Sequence, residues 1–334
     1  MASSPDSNHK HSPRVHNKVS AFSRLTSVSP TQVTNMLIFG LVELPSFAVE
    51  GVILDLITAL LLVVVGVFSG FLGGMLGVGG GVVVVPILVL FFSLDTHQAV
   101  GTSLVMIVFT AISATLAYHR QKRIDWKIGI FGAFTTVPGA AIGAYATKFF
   151  SSRSLAIIFG AALFFVAAAM LRRSFRKAVE QNTEITTEIA NESSLWKGAW
   201  RRRIVDANGR VFEYTANAYT GLALLFLGGL ASGFLGIGGG LVVVPILAAV
   251  VGLPMHLAVA TSMLTMIFTS ISGVSTHIIL GNVLIAYAVP LVIGIVVGAQ
   301  LGAGEAKRLK SVSLERAFAV ALLGIGILLI ITRL

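Results

Sequence analysis

Two glycine runs, each ending five residues before a proline, are the part of this sequence best suited to bind a ligand. Gly79–Gly81 precedes Pro86, and Gly238–Gly240 precedes Pro245 at the same spacing. A glycine costs about 1 kcal/mol relative to alanine inside a helix, so each run is expected to break a helix, with a short helix beginning between Val83 and Pro86. Such a loop directs unpaired N–H groups and the positive end of a helix dipole at one point, which predicts an anion site. The six glycines are Gly79, Gly80, Gly81, Gly238, Gly239 and Gly240.

Polar side chains follow each run at matching distances. Hydroxyls one turn into the next long helix can either donate to a bound oxyanion or bond back to their own helix, and both possibilities stay open. Histidines just before them are either structural or in contact with substrate or protons. The predicted substrate-binding side chains are Thr102, Ser103, Thr261 and Ser262, together with His97 and His256.

Other kinds of chemistry lack their usual residues. The chain has no cysteine, which excludes disulfides, thiolate metal sites and cysteine nucleophiles. Between Thr215 and Ala303 there is no Asp, Glu, Lys or Arg, so a buried carboxylate proton relay is poorly supported. No HExxH or phosphate-binding loop pattern is present. We therefore expect neither an enzyme nor a bound metal or cofactor.

The composition is that of a membrane protein with several spans. Of 334 residues, 55% are hydrophobic and 11% are charged, and the mean hydropathy is +0.90, whereas soluble domains have roughly 25% charged residues. A membrane-spanning helix needs about 20 apolar residues. Full-length candidates lie near 52–72, 98–118, 128–147, 154–171, 218–235, 257–278, 283–301 and 314–332.

Membrane depth changes what the glycine runs imply. Backbone freed from a helix inside a bilayer must be buried by protein or reached by water, so a broken helix predicts a cavity. Close helix packing is the alternative, because Gly294, Gly298 and Gly302 also recur at the spacing of small residues in tight helix contacts. The duplicated run of three glycines with its proline favours the cavity.

The chain contains an internal duplication with an offset of 159 residues. Residues 74–113 match residues 233–272 at 22 of 40 positions, far above chance. The register aligns His97 with His256, whereas His119 and His277 do not match. Further along, the second copy is expected to be shorter, so that Gly143 pairs with Gly298 at an offset of 155.

The fold class expected from these features is an all-α polytopic membrane protein with two homologous repeats and glycine-interrupted short helices. If each short segment crosses the bilayer, every repeat has five passes and the copies are inverted; if it is re-entrant, each has four and the copies are parallel. Lysine and arginine counts do not separate the two. Short glycine-interrupted segments in matching positions favour inverted copies.

Charge divides the chain into four parts. Residues 1–50 form a polar tail with a possible interfacial helix over 31–50, and 51–171 and 218–334 are the transmembrane repeats. Residues 172–217 hold 15 of the 38 charged residues and are expected to be a cytoplasmic connector, either a linker or a helical hairpin. The net charge of +10 reflects orientation in the membrane, and no nucleic-acid partner is expected.

The duplicated Gly-x-Gly-Gly-Gly-x-x-x-x-Pro element, followed each time by His-x-Ala-x-x-Thr-Ser, resembles the TauE/SafE family of sulfite and organosulfonate exporters, also called the toluene-sulfonate uptake permease family. The resemblance covers about residues 52–334. It implies a multi-pass secondary transporter of the plasma membrane that moves small sulfur-containing anions such as sulfite or sulfonates.

The expected function is therefore alternating-access transport of an oxyanion held by the two glycine elements near the bilayer midplane. An anion channel is the first alternative, and a membrane scaffold or receptor that acts through the connector is the second. The expected partners are the small anionic substrate and the lipid bilayer, and a homodimer stays open.

Overall fold

The fold was determined from a computed structural model that describes residues 56–180, 199–306, 320, 323–324 and 326–332. Three expectations lie outside these residues: the polar tail, the interfacial helix over 31–50, and the acidic part of the connector over 181–198. Most of the last predicted span, 314–332, also lies outside them.

The first half of the described chain is helical. Its elements are α1 (Leu56–Leu76), α2 (Gly81–Leu90), α3 (Thr96–Arg120), α4 (Trp126–Ala146), a 3₁₀ turn (Thr147–Phe149) and α5 (Ser152–Glu180). Asp95 and Asp125 cap α3 and α4, because each carboxylate accepts a backbone N–H of the first turn.

The second half begins with two strands and then becomes helical again. Its elements are β1 (Ala199–Val205), β2 (Val211–Asn217), α6 (Ala218–Leu235), α7 (Gly240–Pro245), a π-helical turn (Ile246–Val250), α8 (Met255–Ile279) and α9 (Ile285–Glu305). Residues 326–332 are helical as well.

Five of the described helical segments are long and apolar enough to cross a membrane. They are Leu56–Leu76, Thr96–Arg120, Trp126–Phe149, Met255–Ile279 and Ile285–Glu305. Shorter apolar stretches, Ser152–Phe165 and Ala223–Leu235, lie within α5 and α6. The expectation of a mostly helical, polytopic membrane protein is thus confirmed.

The long helices form two sets of opposite direction. Helices α1 and α9 are parallel, because Gly66 contacts Leu291 and, further along both helices, Gly74 contacts Ala299. Helices α3 and α9 are parallel for the same reason, with contacts of Thr102 with Leu284 and of Ser113 with Val296. The same kind of contact joins α4 to α6 (Gly139 with Phe226, Gly143 with Leu230) and α4 to α8 (Gly129 with Leu264, Val137 with Ser272). In contrast, α3 and α8 are antiparallel, since Gly101 meets Asn282 and Leu104 meets Gly273. Helices α1 and α6 therefore run in opposite directions.

Glycines allow the closest of these helix contacts. A Cβ atom on Gly143 would collide with the carbonyl oxygen of Leu230, and one on Gly302 would collide with that of Phe71. Gly302 lies 159 positions after Gly143, and Phe71 lies 159 positions before Leu230, so the two contacts match at one offset. The expected shift to an offset of 155, with Gly143 matched to Gly298, is therefore wrong: the offset stays at 159 through α4 and α9.

The connector contains a β-hairpin, whereas the sequence predicted an all-α fold with a linker or a helical hairpin in this part of the chain. Strands β1 and β2 pair in antiparallel register, with Ala199 opposite Asn217 and Val205 opposite Val211. Alternate residues of each strand face the helices, as a half-buried strand requires. The turn contains Asn208-Gly209, with Gly209 at φ 79°, a typical hairpin signal.

Two ion pairs, each with a buried carboxylate, attach this hairpin to the loop between α3 and α4. Arg202 contacts both carboxylate oxygens of Asp125 at 2.8 and 2.9 Å, and Arg123 contacts Asp206 at 3.0 Å. Tyr214 donates a further hydrogen bond of 2.6 Å to Asp125. The part of the connector from 199 to 217 is thus a folded element of the helical body.

Candidate functional site

Both glycine runs reverse the chain direction. Gly77, Gly79 and Gly80 have φ between 78° and 85°, and their counterparts 159 positions later have φ between 66° and 77°. Such values favour glycine, because a Cβ atom is strained there. The short segment then returns beside the preceding helix, since Gly239 lies next to Ser232 and Gly221 next to Val251.

The short helices begin earlier than expected. Helix α2 starts at Gly81, directly after the left-handed cap Gly80, and not between Val83 and Pro86. The left-handed glycine already turns the chain into helical geometry, so the proline is not needed to start the helix. Pro86 lies inside α2. Pro245 is the last residue of α7, and the π-helical turn follows it.

The turns leave backbone donors without acceptors inside the protein. Gly80, Gly81 and Val82 are buried, and among the described residues no backbone or side-chain acceptor pairs with their N–H groups. The same holds for Gly239 and Gly240 in the second turn. Buried N–H groups without a partner are rare in folded proteins. A bound anion or water would supply the missing acceptors.

The two turns lie against each other. A Cβ atom on Gly81 would collide with the carbonyl oxygen of Gly236, and one on Gly240 would collide with that of Gly77. The contact is reciprocal, because Gly81 and Gly240 are 159 positions apart, and so are Gly77 and Gly236. The structure thus brings Gly79–Gly81 and Gly238–Gly240 together.

Ile107 and Met266, two side chains that sequence reasoning missed, flank both turns. A Cβ atom on Gly79 would lie 3.1 Å from Ile107 and 3.2 Å from the Met266 sulfur. Met266 is also 3.1 Å from the same position on Gly238. Ile107 and Met266 are 159 positions apart, so the sequence register held the signal that could have found them.

The predicted serines contact the turns through carbonyl oxygens. Ser103 Oγ is 2.8 Å from the oxygen of Gly236 and 2.7 Å from that of Val100. Ser262 Oγ is 3.3 Å from the oxygen of Gly77 and 2.8 Å from that of Val259. Bonding back to the helix, one of the two alternatives, is therefore present in both copies, and each serine also attaches its helix to the turn of the other half.

The predicted threonines have a different contact. Thr102 Oγ1 accepts the N–H of Leu284 at 3.1 Å, and Thr261 Oγ1 accepts the N–H of Asp125 at 3.1 Å. Both threonines are fully buried. Each one fixes the residue that precedes a long helix of the other half, again in a matched pair.

The predicted histidines lie at helix starts. His97 contacts Asp95 at 2.9 Å through Nδ1, and the carbonyl oxygens of Thr147 and Phe150 through Nε2 at 3.2 and 3.1 Å. Burial acts to raise the pKa of Asp95, but hydrogen bonds from His97 outweigh it and keep the pKa below its usual value. His256 is exposed in the first turn of α8. None of the contacts of His97 is with a glycine of the runs.

Two buried serines beside the turns have no hydrogen-bond partner among the described residues: Ser69 and Ser232. Ser232 Oγ is 3.5 Å from the position that a Cβ atom on Gly239 would take. The Ser69 carbonyl oxygen is 2.7 Å from the position that a Cβ atom on Gly80 would take. Sequence reasoning missed both, because they precede the glycine runs and do not occupy matching positions. Ser232 thus adds an unused hydroxyl next to the second turn.

A further matched pair holds the helix ahead of each turn. Tyr118 donates a hydrogen bond of 2.7 Å to the carbonyl oxygen of Gly74, and His277 Nε2 contacts that of Gly233 at 3.1 Å. As expected from the sequence, His119 and His277 do not match, and the 159 offset places Tyr118 at the position of His277. Within the part of the chain that the structure describes, no group of three or more His, Cys, Asp or Glu residues could hold a metal ion.

Comparison with known proteins agrees with this membrane fold. The family described as "Sulfite exporter TauE/SafE" matches residues 62–329. Among similar proteins is "Probable membrane transporter protein YunE" of Bacillus subtilis, which is 32% identical over 81% of this chain and 96% of its own length. Others are "Probable membrane transporter protein YdhB" of the same organism, 28% identical over 81% of this chain and 100% of its own length, and "Probable membrane transporter protein MJ0441" of Methanocaldococcus jannaschii, 28% identical over 72% of this chain and 84% of its own length. No solved structure matches the chain significantly.

Proposed function

The chain belongs to the sulfite exporter TauE/SafE family of multi-pass membrane transporters, and we propose that it carries small sulfur-containing oxyanions, sulfite or organosulfonates, by secondary transport. The plasma membrane is the typical location for this family. Membership in a transporter family also agrees with the expectation that the protein is not an enzyme. The substrate class and the site are our proposal.

The buried, unpaired N–H groups of the two facing turns carry this proposal. Gly80, Gly81 and Val82 present three donors in the first turn, and Gly239 and Gly240 present donors in the second. Each set lies at the positive end of a short helix. Sulfite and sulfonate groups offer three oxygens that can each accept an N–H, and backbone donors at a helix start favour negative charge.

We propose that the transport unit consists of two inverted repeats. The matched contacts of Ser103 and Ser262 support this, because a pair of contacts that exchange partners is what a twofold axis between two copies produces. The opposite directions of α1 and α6 support inversion as well. In inverted-repeat transporters, the two copies exchange conformations to open the site to either side of the membrane.

The remaining predicted residues have distinct proposed roles in this site. The serines and threonines position the turns and the adjoining helices through the contacts that they already make, and Ser232 supplies a direct donor to the anion. Pro86 and Pro245 stiffen the short helices behind the turns. That His97 and His256 contact the anion where it enters or leaves the protein stays a prediction.

Uptake of labelled sulfite and sulfonates into proteoliposomes tests the function. We expect saturable flux and counterflow, whereas a channel would not support counterflow. Gly80→Leu combined with Gly239→Leu should abolish flux, because side chains at these left-handed glycines would fill the turns. Flux that survives this double substitution would refute the proposed site.

A milder variant separates lost binding from lost folding. Ser232→Ala removes the unpartnered hydroxyl without adding volume, and it should raise the KM for sulfite about tenfold, the effect of one hydrogen bond to a charged group. Gly304→Ala is the matched control, because nothing lies within 4 Å of a Cβ atom there. Thermal stabilisation of the purified wild-type protein by sulfite or sulfonates, and not by equal sodium chloride, gives an independent measure of binding.

A further inference from the structure

A cavity of about 460 Å³ lies between the β-hairpin and the first two turns of α4. Its lining residues are Lys127, Phe131, Trp200, Arg201 and Arg202. Phe131 and Trp200 meet edge to face, with ring centroids 5.3 Å apart. Three cationic side chains and two aromatic rings thus line one cavity that the glycine turns do not share.

The cavity carries a net positive charge. Arg202 is paired with the buried carboxylate of Asp125. No carboxylate of a described residue forms an ion pair with Lys127 or Arg201. Among the described residues, two cations of the cavity therefore have no carboxylate partner, which favours an anionic occupant.

The position of the cavity indicates that its occupant comes from the bilayer. Helix α4 begins at Trp126, which is 46% exposed, as expected for a tryptophan at a membrane interface. Further along the same helix, Ile130, Phe131 and Phe134 are 43%, 46% and 74% exposed. Large apolar side chains exposed on a membrane-spanning helix face lipid tails, so the cavity lies at the headgroup end of a lipid-facing surface.

The corresponding position in the other half lacks these features. At an offset of 159, Lys127 corresponds to Ala286 and Phe131 to Pro290. The hairpin strands belong to the connector between the two repeats and are not part of the duplicated sequence. The basic cavity therefore belongs to one end of the molecule and is separate from the matched transport turns.

We propose that this cavity binds the phosphate headgroup of an anionic phospholipid, with Lys127 and Arg201 contacting the phosphate and the Phe131 and Trp200 rings packing against the upper acyl chain. Basic residues at the ends of membrane helices recognise anionic lipids in this way. Arg202 stays with Asp125 and holds the hairpin that forms one wall. The bound lipid joins the connector to α4, so it stabilises the hairpin in its docked position.

Fluorescence of Trp200 tests the proposal at the site itself. A Trp126→Phe, Trp196→Phe variant of the full chain leaves Trp200 as its only tryptophan. This protein is reconstituted into vesicles of phosphatidylcholine that contain equal mole fractions of either brominated phosphatidylglycerol or brominated phosphatidylcholine. We expect stronger quenching by the brominated anionic lipid, because bromine atoms near the ring report its local enrichment.

Charge removal and a matched control complete the experiment. Lys127→Gln with Arg201→Gln should weaken the preference for the anionic lipid by about thirtyfold, from the contribution of two basic residues at a membrane surface. Arg203→Gln should preserve it, since Arg203 lies on the same strand, pairs with Glu213 and does not line the cavity. Unchanged circular dichroism and thermal unfolding of the charge variant would show that it still folds.

Three outcomes overturn the proposal. Equal quenching by the two brominated lipids means that the cavity has no preference for anionic headgroups. Loss of the preference on adding excess inorganic phosphate means that it binds a free anion instead of a lipid. An effect of Arg203→Gln as large as that of the double substitution means that general surface charge is responsible.

Discussion

Ser103 on α3 lies 2.8 Å from the carbonyl oxygen of Gly236, in the turn that the other half of the chain contributes. Ser262 makes the reciprocal contact with Gly77 at 3.3 Å. Each half of the molecule thereby holds the glycine turn of the other half. A change in the position of one long helix must therefore alter the opposite turn, and in the proposed transport mechanism this contact couples anion binding to helix movement.

Removing the Ser103 hydroxyl is expected to destabilise the protein. Ser103→Ala leaves the buried carbonyl oxygen of Gly236 without this donor, which should cost about 1–3 kcal/mol. Thermal unfolding in detergent measures the loss, and sulfite flux should fall as well. Ser275→Ala is the control, because its hydroxyl contacts only the carbonyl oxygen of Ile271 on an exposed face. Equal unfolding temperatures for the two variants would contradict a role for Ser103 in holding the turn.

The Tyr118 hydroxyl is expected to contribute to stability through a single contact. Tyr118→Phe keeps the buried ring and removes the donor to the carbonyl oxygen of Gly74, which should cost about 1–3 kcal/mol. Tyr145→Phe provides the control, because Tyr145 is exposed. Thermal unfolding of both purified variants checks the difference, and a Tyr118→Phe protein as stable as Tyr145→Phe would show that the hydrogen bond contributes nothing.

The contact between α1 and α9 is expected to tolerate no side chain at Gly302. Gly302→Ala places a Cβ atom against the carbonyl oxygen of Phe71, so the helices must separate, at a cost of about 1–3 kcal/mol or more. Size-exclusion chromatography and thermal unfolding measure the effect. Gly304→Ala, two residues away with no atom within 4 Å, should behave like the wild type. The prediction fails if the two variants unfold at the same temperature.

Docking of the hairpin is expected to weaken in acid. Burial acts to raise the pKa of Asp125, but hydrogen bonds from Arg202, Tyr214 and the backbone of Ile128 outweigh it and hold the pKa below its usual value. A carboxyl group whose pKa is lowered by folding stabilises the fold above its unfolded pKa, and this contribution is lost as the pH falls through the folded pKa. The hairpin should therefore become more susceptible to proteolysis only when the pH falls below the usual pKa of an aspartate.

Substitution at Asp125 tests the same ion pair at neutral pH. Asp125→Asn retains the cap of α4 but leaves Arg202 without its carboxylate, which should cost about 3 kcal/mol. Limited proteolysis of the connector at neutral pH should then resemble that of the wild type in acid. Glu213→Gln is the control, because its pair with Arg203 is exposed and contributes little. Proteolysis of Asp125→Asn at the wild-type rate would contradict the proposed docking.

The features that sequence alone determined are those encoded locally or by repetition. Apolar stretches of the length of a bilayer predict spans regardless of how the helices pack. The glycine runs predict chain breaks because the missing Cβ is a property of the residue itself. The duplication at offset 159 identified both turns, their serines and their threonines, and together with the motif it indicated the family.

The tertiary structure decided how these pieces contact one another. Ser103 and Gly236 are separated by 133 residues, and Thr102 and Leu284 by 182, and no local pattern specifies partners at such distances. The short helix began at Gly81 because a left-handed cap turned the chain, although proline statistics favoured a later start. The hairpin was not predicted because the many charged residues of the connector indicated a solvated segment. The alternate residues of its strands are buried only by the helices on which the hairpin packs. The unpaired N–H groups of the two turns depend on the whole fold, since a backbone donor is free only if every neighbouring acceptor is occupied or out of reach.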